Sequence, residues 1–120
     1  FWLTGTGAGT FQAAMAVYQR SRPSVIFNQA HNHFLQVAAE GGLLPGVPAA
    51  FCLLALARAG ARRLARDRSP IYFLRAGAAA GLAGVAVQSL WETGLTMPAN
   101  AALAAVLAAI LVHERAGTRR

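Results

Sequence analysis

Residues 41–57 read GGLLPGVPAAFCLLALA, without one charged side chain, and the next residue opens a cluster of arginines. A run of this kind has few folded solutions. A helix that crosses a hydrocarbon core of about 30 Å needs about 20 apolar residues, and this run reaches that length once the preceding turns from Phe34 are added. Pro45 and Pro48 then start a new helix there or kink one. Two further apolar stretches follow, residues 76–91 and 97–112. The first is rich in Ala and Gly and only weakly hydrophobic, so it needs neighbouring helices. The second opens on Pro98 in a first-turn position and carries Leu103, Val106, Leu107, Ile110 and Leu111. Composition agrees with a membrane chain: 12% of residues are charged and 56% are hydrophobic, where a soluble domain is roughly a quarter charged. The small residues that dominate let membrane helices approach closely.

The net charge is +7, and all the basic residues are arginine. On a soluble face that balance points to nucleic acid, but its placement argues otherwise. Arg58, Arg62, Arg63, Arg66, Arg68 and Arg75 fall between the first two apolar stretches, and Arg115, Arg119 and Arg120 follow the third, while the turn WETGLTMP has none. Basic clusters in alternate connecting segments, so that both lie on one side of the membrane, are what the positive-inside rule predicts for three spans. The expected architecture is therefore all-α, with helices at about 34–57, 72–91 and 97–113. The loop 58–71 and tail 114–120 are cytoplasmic, residues 1–33 and the 91–97 turn face outward, and Arg75 snorkels to the interface. The charge is topological, and no nucleic-acid partner is expected.

The opening FWLTGTGAGTFQ has neither the basic start of a signal peptide nor an initiating Met, and it reads as part of a longer protein. Gly5, Gly7 and Gly9 are spaced G-x-G-x-G, not G-x-G-x-x-G, and no strand precedes them, which argues against a dinucleotide loop. Thr10 is placed to cap a short helix with Phe11, Met15 and Tyr18 on one stripe, suited to an interface. Residues 19–28 form a loop broken by Pro23. Cys52 is a lone cysteine inside an apolar run, expected to be a small buried hydrophobe.

The polar stretch at the lip of the first span, NQAHNHFLQVAAEGG, is the chemically richest. As a helix over residues 30–42 it sets His31, Leu35, Ala38 and Gly42 on one stripe and His33, Gln36 and Glu40 on another. Two readings stand: a polar interfacial anchor, or part of a site, since an ionisable group beside a span is a functional candidate. A metal held by His31, His33 and Glu40 is not expected, because His-x-His projects to different sides of a helix and no further ligand set is visible.

Three segments, GTGAGTF with Tyr18, then AHNHFLQVAAEGGLLPG at 30–46, and QSLWETGLTMPANAALAAVLAAIL at 88–111, resemble the carboxy-terminal half of the O-antigen ligase and O-antigen polymerase superfamily. The most specific elements are His-Asn followed by Gly42 eleven residues after the histidine, and the Pro-Ala-Asn opening of the last span, Pro98 to Asn100. The resemblance implies a polytopic inner-membrane glycosyltransferase of the GT-C type with its active site facing the periplasm. Such enzymes move a glycan from undecaprenyl diphosphate to a hydroxyl acceptor: lipid A core for a ligase, another lipid-linked glycan for a polymerase. The family histidine corresponds to His31, as base or orienting group for the acceptor hydroxyl, with no cofactor and no metal. Arg20 and Arg22, the outward-facing arginines, are the implied diphosphate contacts, and Asn32 and Glu40 the further substrate-side residues. Glu40 is expected to steady the helix pair or the histidines rather than to do acid chemistry. Trp91, Glu92 and Asn100 line the outer end of the cavity. His33 leaves a register ambiguity, in which the Asn and the Gly42 spacing favour His31. A non-enzymatic membrane subunit or transporter fragment is the alternative from another class.

Overall fold

The computed structural model describes residues 1–20 and 28–114. Among these residues five helices follow one another: α1 (Phe11–Tyr18), α2 (His33–Gly41), α3 (Leu43–Arg66), α4 (Tyr72–Gln88) and α5 (Pro98–Val112), with a 3-10 turn at Gly94–Thr96 ahead of α5. No strand occurs among the described residues. The all-α expectation is met, and three differences from the sequence reading shape the fold, each for a physical reason.

The first difference is a break where one helix over residues 34–57 was expected. Gly42 has φ +67° and ψ −158° and serves as C-cap of α2 and N-cap of α3. A break leaves carbonyls at one helix end and amides at the next without intrahelical partners, and here one segment satisfies both. The Thr6 and Gly7 amides donate to the carbonyls of Ala39 (3.0 Å) and Glu40 (2.9 Å), and the Leu43 and Leu44 amides donate to the carbonyls of Trp2 and Leu3 (3.0 Å each). Pro45 has no amide to place, and Gly46 returns to the helical pattern by donating to the Gly42 carbonyl at 3.2 Å. The fit requires glycine on both sides. A Cβ on Gly42 would lie 2.5 Å from the Gly5 nitrogen and 2.6 Å from the Leu3 carbonyl, and one on Gly5, at φ +65°, would overlap the backbone of Glu40 and Gly41.

The second difference is that α3 runs on through Arg58, Arg62, Arg63 and Arg66, where a loop was expected. Ala, Leu and Arg are strong helix formers, and nothing interrupts them until Asp67. Arg63 and Arg66 sit in the last turn, where cations oppose the carbonyl end of the helix dipole. The third is Arg75, which is 7% exposed rather than snorkelling. It pairs with Asp67 and donates to the His113 carbonyl at 2.8 Å, tying the α3–α4 loop to the end of α5. Hydrogen bonding from Ser69, and then the Arg75 guanidinium, holds the Asp67 carboxyl below the usual carboxylate range. The stability this carboxylate contributes is thus present above that range and is lost as pH falls through the lowered value.

α4 and α5 form an antiparallel hairpin in which Gly81 faces Leu107, and α3 meets α5 at Gly60 against Leu111. Arg63 pairs with Glu114, so α3 and α5 end on the same side. Little apolar surface is enclosed: among the described residues Ala78 and Leu111 are the buried hydrophobic side chains, whereas Phe51 is 68% and Phe73 83% exposed. Cys52, expected to be buried, is exposed on α3. α3 is one helix long and apolar enough to cross a membrane; α5 is apolar but has 15 residues.

The clasp at the break predicts graded effects. Gly42→Ala and Gly5→Ala each combine a left-handed backbone with backbone overlap and should cost about 3 kcal/mol. Gly9 also has positive φ, but nothing lies within 4 Å of where its Cβ would stand, so Gly9→Ala should cost about 1 kcal/mol. Denaturant titration of the detergent-solubilised protein measures all three.

Candidate functional site

The polar lip is organised by Asn32. Its side-chain oxygen accepts from the Leu35 amide at 3.0 Å and caps α2, while its amide nitrogen donates to the Leu90 carbonyl at 2.7 Å. Asn is among the preferred capping residues because its short oxygen reaches the free amides of the first turn. The helix therefore begins at His33, and the expected stripe joining His31 to Leu35, Ala38 and Gly42 does not form. His31 stands outside the helix, exposed, with φ +48°, the positive-φ residue other than glycine among those described.

A left-handed histidine costs of order 1–3 kcal/mol and persists where its surroundings over-determine it. Those surroundings are visible on both sides. The Ala30 amide donates to the Gln36 side-chain oxygen at 2.7 Å, the His33 amide to the Ser89 carbonyl at 2.8 Å, and the Thr93 hydroxyl to the Gln29 side chain. His31 is thus held between fixed neighbours with its imidazole presented outward. His33 is turned the other way: it is half-buried, and its Nδ1 is enclosed without a hydrogen-bond partner.

The other expected site residues separate into different roles. Asn32, expected on the substrate side, has both ends of its amide committed to the fold. Glu40, expected there too, is spent on the clasp: its carboxylate accepts from the Gly9 amide at 2.8 Å and from the Gln36 side-chain amide at 2.6 Å. It reaches the lip only through Gln36. Gly42 does give close packing, but against Leu3 and Gly5 and not beside His31. Arg20 lies exposed two residues beyond α1, and Arg22 lies outside the described residues. Pro98 is in the first turn of α5, and Asn100 donates to the Gly94 carbonyl at 3.0 Å, fixing the 3-10 turn. Trp91 and Glu92 are exposed on the α4–α5 turn.

Thr10 does not cap α1. Its hydroxyl donates to the Gly7 carbonyl at 2.7 Å and lies 2.9 Å from the Thr6 hydroxyl, bracing the glycine segment instead. The stripe of Phe11, Met15 and Tyr18 faces Phe1, Trp2 and α2 across an open apolar groove of about 340 Å³. Among the described residues, no three histidine, cysteine or carboxylate side chains converge as a metal site would require.

Gln36 was placed on a stripe with His33 and Glu40, but Gln29, Ser89 and Thr93 were not singled out from the sequence, although the run QSLWET sets polar residues at the end of an apolar stretch, which is a usable signal. Compared with known proteins, the chain matches no family model, no curated protein and no solved structure.

The strained backbone at His31 gives a direct expectation. His31→Gly should be more stable than His31→Ala by about 1 kcal/mol, because glycine occupies the left-handed region without the Cβ penalty. Thermal unfolding of the two variants, side by side in one detergent, measures the difference.

Proposed function

We propose that this chain is the carboxy-terminal part of a membrane glycosyltransferase of the O-antigen ligase type, with a GT-C-type scaffold and an active site on the periplasmic side of the bacterial inner membrane. In this reading α3, α4 and α5 all cross the bilayer, with the arginine-rich end of α3 in the cytoplasm and the lip, residues 1–33 and the α4–α5 turn outside. α4 and α5 have 17 and 15 residues, about 25 Å and 22 Å at the helical rise, so they cross as a hairpin packed on α3 in a locally thinned bilayer.

The observation that carries the reading is His31: a histidine kept exposed in a costly backbone conformation, between bonded neighbours, at the end of the helical assembly away from the arginines of α3. Strain of this sort collects at functional positions, and imidazole is the side chain that exchanges a proton near neutral pH. In the proposed reaction the acceptor hydroxyl oxygen attacks the anomeric carbon of the lipid-linked glycan and His31 takes the hydroxyl proton. The bond from that carbon to the diphosphate oxygen breaks, and undecaprenyl diphosphate leaves with the electron pair. Arg20 and Arg22 hold the diphosphate, since guanidinium groups bind phosphate oxygens in a bidentate fashion and offset developing negative charge. The acceptor is lipid A core or another glycan bearing a free hydroxyl.

General-base assistance contributes about 10²- to 10⁴-fold. Cells whose only copy of the full-length protein carries His31→Ala should therefore lose polymeric surface glycan on gels, with lipid-linked chains accumulating, while His33→Ala keeps the ladder. Single glycan units still attached to acceptor would identify a polymerase of the same superfamily. An unchanged ladder, with the His31→Ala protein present in the membrane, would return the lip to an interfacial anchor.

A further inference from the structure

We propose that the α4–α5 turn is the acceptor-binding wall of the His31 site, with the Trp91 ring as the platform for one sugar of the acceptor; the assignment rests on the glycan-transfer reading above. Three connections join the turn to the segment that carries His31. The Asn32 side chain donates to the Leu90 carbonyl at 2.7 Å, the His33 amide donates to the Ser89 carbonyl at 2.8 Å, and the Thr93 hydroxyl donates to the Gln29 side chain. They bracket His31 in sequence on one stretch of chain and Trp91 on the other. The stretches of chain that carry the histidine and the indole are therefore tied together, although 60 residues separate the two in the chain.

Within the turn, side chains divide sharply by duty. Ser89 and Thr93 are 3% and 5% exposed, and their hydroxyls are used internally, Ser89 on the Val85 carbonyl at 2.8 Å and Thr93 on Gln29. Trp91 and Glu92, between them, are exposed, Trp91 at 59%. Neither of these two side chains is bonded to another described residue. A large aromatic face beside a carboxylate suits a saccharide: the C–H face of a pyranose ring lies on the electron-rich face of an indole, and a carboxylate accepts hydrogen bonds from ring hydroxyls. An imidazole one connection away is where a hydroxyl of that same sugar would be deprotonated. Asn32 is the positioning residue that fixes this register, which accounts for both ends of its amide being committed.

The test uses the full-length protein in nanodiscs and, as probe, delipidated lipid A core oligosaccharide, with binding read by calorimetry and transfer measured separately in vesicles. Trp91→Leu keeps an apolar side chain at the interface and removes the ring face; Trp91→Phe keeps a ring. The expected result is binding by the native protein, weakened roughly five- to tenfold by Trp91→Leu and less than threefold by Trp91→Phe, the size of one aromatic contact. In the transfer assay the acceptor KM should rise in step while kcat stays within about twofold. No binding by the native protein, or equal binding by native and Trp91→Leu, overturns the proposal and leaves Trp91 as an interfacial aromatic. Trp91-dependent binding by a native protein that transfers no glycan would keep the platform and reject the enzyme reading.

Discussion

The helix break at Gly42 is completed by the glycine-rich segment at residues 2–9, and the rest of the structure depends on that join. Two helix ends meet there, each with unsatisfied backbone groups, at the entrance of the helix most suited to cross a membrane. Leaving such groups unpaired in hydrocarbon would cost several kcal/mol each. The segment answers with its own backbone, donating amides to Ala39 and Glu40 and offering the carbonyls of Trp2 and Leu3 to Leu43 and Leu44. Backbone groups can do this only where backbones come close enough, which is why Gly5 and Gly42 face each other without a Cβ between them.

Once the break is held, α2 is free to leave the axis of α3, and its amino end reaches the α4–α5 turn through Asn32 and His33. A single continuous helix over residues 34–57 would give α2 no independent direction. The clasp at one end of α2 and the strained His31 beside the Asn32 cap at the other are linked through Gln36, which accepts from Ala30 and donates to Glu40. The polar residues that look like a cluster of catalytic candidates are therefore mostly a frame, and the frame leaves His31 outside it. At the opposite end, Asp67 and Arg75 close the α3–α4 loop onto α5. Between the two polar ends lies an assembly whose large apolar side chains point outward, which fits a bilayer or further helices and not water.

Much of this was legible in the sequence. The all-α class followed from the uncharged runs and the opening of α5 from Pro98. What could not be read were effects that depend on distant partners. Gly42 looks like any packing glycine until a segment 37 residues earlier in the chain is found against it. Helical periodicity put His31 on a stripe with Gly42, but capping by Asn32 won locally and moved the histidine outside the helix. Arg75 looked like a snorkelling residue because its partner Asp67 lies across a turn, and the bracing role expected of Glu40 could not be given a partner because the Gly9 amide that engages it lies 31 residues away. The continuation of α3 through the arginines was readable from propensity alone; treating a charge cluster as a loop was the error.

The frame leaves His31 exposed at the lip, tied through its neighbours to the α4–α5 turn. The measurement that reaches the central claim most directly is residue-resolved amide hydrogen exchange on the full-length protein in nanodiscs. If the glycine segment closes the helix break, the amides of Thr6, Gly7, Leu43 and Leu44 will be protected and will open together as one cooperative unit. Free exchange at Thr6 and Gly7 while α2 and α3 remain protected would contradict the account, because the break would then be satisfied by something other than this segment.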